Sequence, residues 1–187
     1  MIEVEAKFLL ESPERLEQQL RNELSAAFEG DVIQQDDYYQ HPVRDFRISD
    51  EALRLRTVIF SAGTAQYQIC YKGPRLDAVT KSRAEMECDL TGDQPTQGMH
   101  GLLTALGFTA AGQVRKERRL YRVPYVGREV LVSVDRVDGL PAYAELELVC
   151  ADADREAATA VILQLADRLN FGPSERRSYL EILQNKG

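Results

Sequence analysis

The feature that most constrains this chain is charge repeated at a spacing of two. Glu3, Glu5 and Lys7 open it. Side chains in an extended segment alternate between faces, so these three share one face and Ile2, Val4, Ala6 and Phe8 share the other. The same spacing returns in Arg54/Arg56, Glu85/Glu87, Lys116/Arg118 and Glu145/Glu147. With Lys72, Arg83 and Asp135, the charged positions come from at least seven separate extended segments. One reading is a sheet with a solvated outer face, whose cross-strand ion pairs contribute only a few tenths of a kcal/mol each. Such a face would mix in Ser, Thr, Asn and Gln freely. The other reading is a closed antiparallel barrel with a polar interior. Eight strands leave a lumen about one small ligand wide, and charges buried there need partners or an ion. Carboxylates together with Lys and Arg suit a polyanion carried with divalent cations. Hard Mg²⁺ or Mn²⁺ takes carboxylate oxygens, while Lys and Arg take phosphate oxygens. No GxxxxGK[ST] phosphate loop is present.

The rest of the chain reads as follows. Ser12-Pro13 is a helix start, with Leu16, Leu20, Leu24, Ala27 and Phe28 on one stripe that closes near Gly30. Residues 31–40 are extended and end at His41-Pro42. Asp45 to Asp50 is a loop or short turn. Ala52–Phe60 and Ala65–Lys72 form a hairpin across Ser61–Thr64. Residues 75–81 are a polar loop, and Ser82–Leu90 alternates as a strand. Residues 96–106 are a helix stopped by Gly107. Val114–Pro124, Glu129–Val137 and Ala142–Cys150 are strands. Residues 153–169 are a helix with Ala157, Val161, Leu165 and Leu169 on its stripe, and Glu175–Gln184 is a short closing helix. Tight turns between neighbouring strands imply antiparallel pairing. The expected fold is α+β: a closed eight-stranded antiparallel tunnel with a charged interior and four helices outside.

At 187 residues, residues 1–187 read as one domain. A net charge of −7 argues against a broad basic surface for nucleic acid. No apolar run approaches the ~18 residues of a membrane span. Cys70, Cys88 and Cys150 lie far apart without CxxC spacing, so they read as small buried thiols of a reducing compartment. A strand with two glutamates at the N-terminus is unlike a secretory leader, and the expected location is cytoplasmic. His41 and His100 read as surface residues. Tyr38 and Tyr39 line an entrance or pack at a strand end.

Glu3-x-Glu5-x-Lys7 resembles the ExExK signature of the CYTH superfamily, the triphosphate tunnel metalloenzymes. Arg54-x-Arg56, Lys72, Glu85-x-Glu87, Lys116-x-Arg118, Asp135, Glu145-x-Glu147 and Arg177-Ser178-Tyr179-Leu180 follow in order, so the resemblance spans nearly the whole chain. The phrases DDYYQHP, ALRLR, YKGP and SRAEME resemble most the class IV adenylyl cyclase branch. The resemblance implies an ATP cyclase that forms cyclic AMP and pyrophosphate. The alternatives on the same fold are a hydrolase of inorganic, thiamine or nucleoside triphosphate and a non-catalytic triphosphate sensor. It implies Mg²⁺ or Mn²⁺ on Glu3, Glu5, Glu87, Asp135, Glu145 and Glu147, with Glu85 in support. It implies triphosphate on Lys7, Arg54, Arg56, Lys72, Arg83, Lys116, Arg118 and Arg177, with Glu3, Glu5, Lys7 and Lys116 as catalytic groups. Arg83 reads equally as a phosphate ligand or as a cross-strand ion pair. The partner is a small-molecule triphosphate, not nucleic acid or membrane, and the resemblance allows a homodimer.

Overall fold

The computed structural model describes residues 2–74 and 83–186. Eight strands close into an all-antiparallel barrel: β1 (Ile2–Leu9), β2 (Ala27–Gln40), β3 (Ala52–Phe60), β4 (Ala65–Lys72), β5 (Arg83–Leu90), β6 (Thr109–Tyr125), β7 (Arg128–Val137) and β8 (Ala142–Cys150). The order around the barrel is β1-β5-β4-β3-β2-β6-β7-β8. The helices are α1 (Pro13–Glu23), α2 (Phe46–Ser49), α3 (Pro95–Ala105), α4 (Arg155–Arg168) and α5 (Tyr179–Gln184). The polar loop expected at 75–81 and the strand start at Ser82 fall outside the described residues.

The barrel is charged within and apolar without. Val4, Ala6 and Phe8 on β1 are buried with Val130, Val132 and Val134 of β7 and Ala144, Leu146 and Leu148 of β8. Leu16 and Leu20 of α1 and Ile162 and Leu165 of α4 cover them. Phe8 stacks on Phe171, with ring centroids 4.8 Å apart. Burying side chains of this kind contributes about 1.5–3 kcal/mol each, so the main hydrophobic core lies between the barrel wall and its helices.

Several boundaries differ from the sequence reading. Helix α1 ends at Glu23, and Ala27 and Phe28 belong to β2. Ser25 takes φ of +51°, which breaks the helix. Phe28 then pairs with Tyr121 across the β2–β6 ladder and tilts against its ring at 5.2 Å. Pairing along a long strand outweighs the extra half-turn that the apolar spacing favoured. The loop at 45–50 contains α2, capped by the Asp45 side chain on the Arg47 amide. The buried stripe of α4 runs through Ala158 rather than the exposed Ala157, adding Ile162 and Ala166. Helix α5 begins at Tyr179, not Glu175, because Ser178 and Glu181 form a capping box. The described helices thus number five, with a 3-10 turn at Asp152–Asp154. Cys70 and Cys150 are buried thiols as expected, but Cys88 is exposed on β5.

Candidate functional site: a charged tunnel

The inward faces line a cavity of about 640 Å³. Into it point Glu3, Glu5 and Lys7 of β1, Arg54 and Arg56 of β3, Lys72 of β4, and Arg83, Glu85 and Glu87 of β5. Lys116 and Arg118 of β6 and Glu145 and Glu147 of β8 complete the set. The alternation that hides Val4 and Phe8 under the helices turns Glu3, Glu5 and Lys7 inward; Lys7 is only 1% exposed.

Three charge groups divide the interior. In the first, Glu5 lies directly opposite Glu147 in the β1–β8 ladder. Oxygens of Glu3, Glu5 and Glu147 lie within 4.8 Å of one another. Burial and then the neighbouring charge of Glu3 push the Glu147 carboxyl up to about 8. Lys72 Nζ donates to Glu3 at 2.6 Å and lies 3.1 Å from Glu85. Burial opposes ionisation of Glu3, but Lys72, a hydrogen bond with Glu85 and Arg54 hold it well below the usual carboxylate range. Burial, followed by that hydrogen bond with Glu3, raises Glu85 to about 7. Three crowded carboxylates, one with its pKa raised first by burial and then by the charge of Glu3, fit a hard divalent cation. Such an ion takes several carboxylate oxygens and relieves their mutual repulsion.

In the second group, Arg118 donates twice to Asp135 at 2.6 Å and also to Glu145. Lys116 lies 3.4 Å from Asp135 and 3.8 Å from Glu145. Asp135 and Glu145 therefore sit on these cations rather than in the carboxylate trio. In the third, Asp36 accepts from Arg56 at 2.7 and 2.9 Å and lies 3.4 Å from Arg54. Burial opposes the charge of Asp36, yet Arg54 and Arg56 hold its carboxyl well below the usual range. Gln34 Oε1 and Arg54 Nε are buried without a hydrogen-bond partner among the described residues. Buried polar atoms are normally satisfied, so atoms of this kind on a cavity wall suit a polar guest.

The remaining expected residues sit as follows. Glu87 accepts from the Cys70 thiol at 3.3 Å. Arg83 lines the cavity but donates to the backbone oxygens of Asp50 and Gly73, at 3.2 and 3.5 Å. The Arg177 guanidinium is exposed and paired with Glu175 at 2.6 Å. It does not line the cavity. His100 Nδ1 pairs with the Tyr39 hydroxyl at 2.8 Å, outside the charged groups. Asp36 is the main site residue that the charge pairs did not reveal. Gln34, Asp36 and Tyr38 also stand at spacing two on β2, and they line the cavity too.

The CYTH domain model matches residues 1–179. The chain belongs to the CYTH domain family. Among its CYTH relatives, a Methanocaldococcus jannaschii protein named putative adenylate cyclase is 30% identical over 185 residues, spanning 97% of this chain and 98% of that one. The solved structure of a Pyrococcus horikoshii protein has 35% identity and a TM-score of 0.87, covering 99% of each chain. A Hippeastrum protein, described as a putative adenylyl cyclase that reveals a dominant triphosphatase activity, shares the fold at 18% identity. Its TM-score is 0.63, with 98% of this chain and 95% of that one covered.

Proposed function

We propose that the protein is a metal-dependent adenylyl cyclase that converts ATP to cyclic AMP and pyrophosphate. The observation that carries this reading is the meeting, in one cavity, of the Glu3/Glu5/Glu147 trio with the cations Lys7, Arg54, Arg56, Lys72, Lys116 and Arg118. Phosphorus chemistry needs mostly positioning and neutralisation of charge, and a fixed cage supplies both. The trio would hold Mg²⁺ or Mn²⁺, whose chemistry is to acidify an attacking hydroxyl and neutralise leaving phosphate oxygens. The chain's own cations bind and orient the triphosphate. Asp36 holds Arg54 and Arg56, and Asp135 and Glu145 hold Lys116 and Arg118, at fixed positions. In the cyclisation the ribose 3′-hydroxyl gives up its proton to solvent, and its oxygen forms a bond to the α-phosphorus in line. The bond from that phosphorus to the bridging oxygen breaks, and pyrophosphate departs. Lys and Arg side chains lie ready to take up its charge.

The preference for cyclisation leans on the M. jannaschii relative, which is alike over the whole chain. A second reading, hydrolysis of a triphosphate by water at the terminal phosphorus, is favoured by the Hippeastrum protein of the same fold. It uses the same residues with the triphosphate set differently along the tunnel. Incubation with ATP and Mg²⁺ or Mn²⁺, with identification of the products, separates the readings. Cyclic AMP with pyrophosphate is the expected result. ADP with phosphate transfers the assignment to a triphosphatase, and triphosphate binding without turnover marks a sensor.

A further inference from the structure

One contact links α5 to the cations of the tunnel. Tyr179, the first residue of α5, is buried, and its hydroxyl donates to Asp135 Oδ2 at 2.7 Å. That same oxygen accepts from Arg118 at 2.6 Å and faces Lys116 Nζ at 3.4 Å. The Tyr179 ring also lies beside two ammonium groups, with Lys7 Nζ 4.0 Å and Lys116 Nζ 5.1 Å from its centroid. One side chain therefore touches three of the cations proposed to bind phosphate, either directly or through their shared carboxylate.

The helix that carries Tyr179 is held from several sides. Lys7 Nζ donates to the Arg177 carbonyl at 2.5 Å, and Gln184 donates to the Ala111 carbonyl at 2.8 Å. Leu180 rests where β6 has no side chain. A Cβ built on Gly112, whose φ is +146°, would come within 2.6 Å of Leu180 Cδ1. The glycine thus leaves room for the Leu180 side chain where α5 meets β6.

We infer that Tyr179 is a positioning residue for triphosphate binding, acting through Asp135 on Lys116 and Arg118. The hydroxyl shares the charge of Asp135 Oδ2 and so limits how tightly that oxygen holds Arg118 and Lys116. Without it, both cations are drawn toward Asp135 and away from a bound phosphate. Burial, and then the charges of Glu145 and Asp135, keep the phenol protonated and able to donate. The inference rests on the triphosphate reading of the tunnel.

The test is the affinity for inorganic triphosphate, measured calorimetrically with and without Mg²⁺, in Tyr179→Phe, Asp135→Asn and the double variant. Tyr179→Phe is expected to weaken binding roughly tenfold, the scale of one buried hydrogen bond to a charged group. In the Asp135→Asn background it should cost nothing further, the signature of two residues acting as one unit. Wild-type affinity in Tyr179→Phe, or an equal additional loss on top of Asp135→Asn, overturns the inference while leaving the triphosphate reading intact. A wild-type protein that binds no triphosphate overturns both.

Discussion

The guanidinium of Arg118 grips Asp135 through two parallel hydrogen bonds of 2.6 Å, Nε to Oδ1 and Nη2 to Oδ2. Fork-on-carboxylate pairing of this kind is geometrically specific. Asp135 is 0% exposed, so the pair stands out of water. Removing Asp135 leaves the buried cations Arg118 and Lys116 to share Glu145, and a fully uncompensated buried charge sets the upper bound of the cost at about 3–5 kcal/mol. Asp135→Ala should therefore lower stability by up to that amount in urea unfolding. A loss below ~1 kcal/mol would show that the pair contributes little to the fold.

Glu5→Gln keeps shape and volume and removes one charge from a crowded trio. Turnover should fall by orders of magnitude, while the metal-free melting temperature stays within a few degrees of wild type. Stabilisation by Mg²⁺ should shrink, because a ligand stabilises only the state that binds it. Undiminished activity in this variant would remove the carboxylate trio from the reaction.

Leu146 stands between Glu145 and Glu147 on β8 and points the other way, fully buried in the outer core. Leu146→Ala should cost about 2–5 kcal/mol of stability yet leave the activity per folded molecule within a factor of a few. A selective loss of activity without loss of stability would contradict the assignment of faces.

Asp36 supplies a pH dependence. Its carboxyl lies below its unfolded value in the folded chain. Its contribution is therefore fully present above the unfolded pKa of about 3.9 and is lost as pH falls from there through the lower folded value. Asp36→Asn should flatten the acid limb of a stability–pH curve, and the two proteins should differ most near neutral pH. Parallel curves would assign the acid loss to other carboxylates.

Much of this arrangement was legible because alternation on a strand is a strict rule. Glu3, Glu5 and Lys7 were placed on one face by spacing alone, and the closed barrel turned that face inward. The same alternation holds on β2, but Gln34 and Tyr38 flank Asp36, so no pair of charges marks it. Partners were not legible. Spacing says that Asp135 and Glu145 point inward, but only the cross-strand register puts them on Arg118 instead of beside Glu147. Arg177 lies outside any strand, where alternation gives no guide, and its backbone carbonyl reaches Lys7 while its side chain turns to Glu175. The end of α1 is not legible in apolar spacing, which cannot register the left-handed Ser25 or the pull of a long neighbouring strand.

Among the described residues β1 meets β5 in only two residue pairs, Ile2 with Ala84 and Glu3 with Arg83, whereas β1 meets β8 in eight. Beyond the short join, Met86, Glu87, Cys88 and Asp89 are exposed. Lys72 reaches across this join to Glu3 on one stave and Glu85 on the other. Among the described residues, the Lys72 ammonium clasps the two staves together. Amide exchange should be fastest along β5 and slowest along β7 and β8, the strands under α4 and α1. A cation or phosphate that competes for Glu3 or Lys72 would then work on the clasp itself, so loading the tunnel and loosening or tightening its wall become one event.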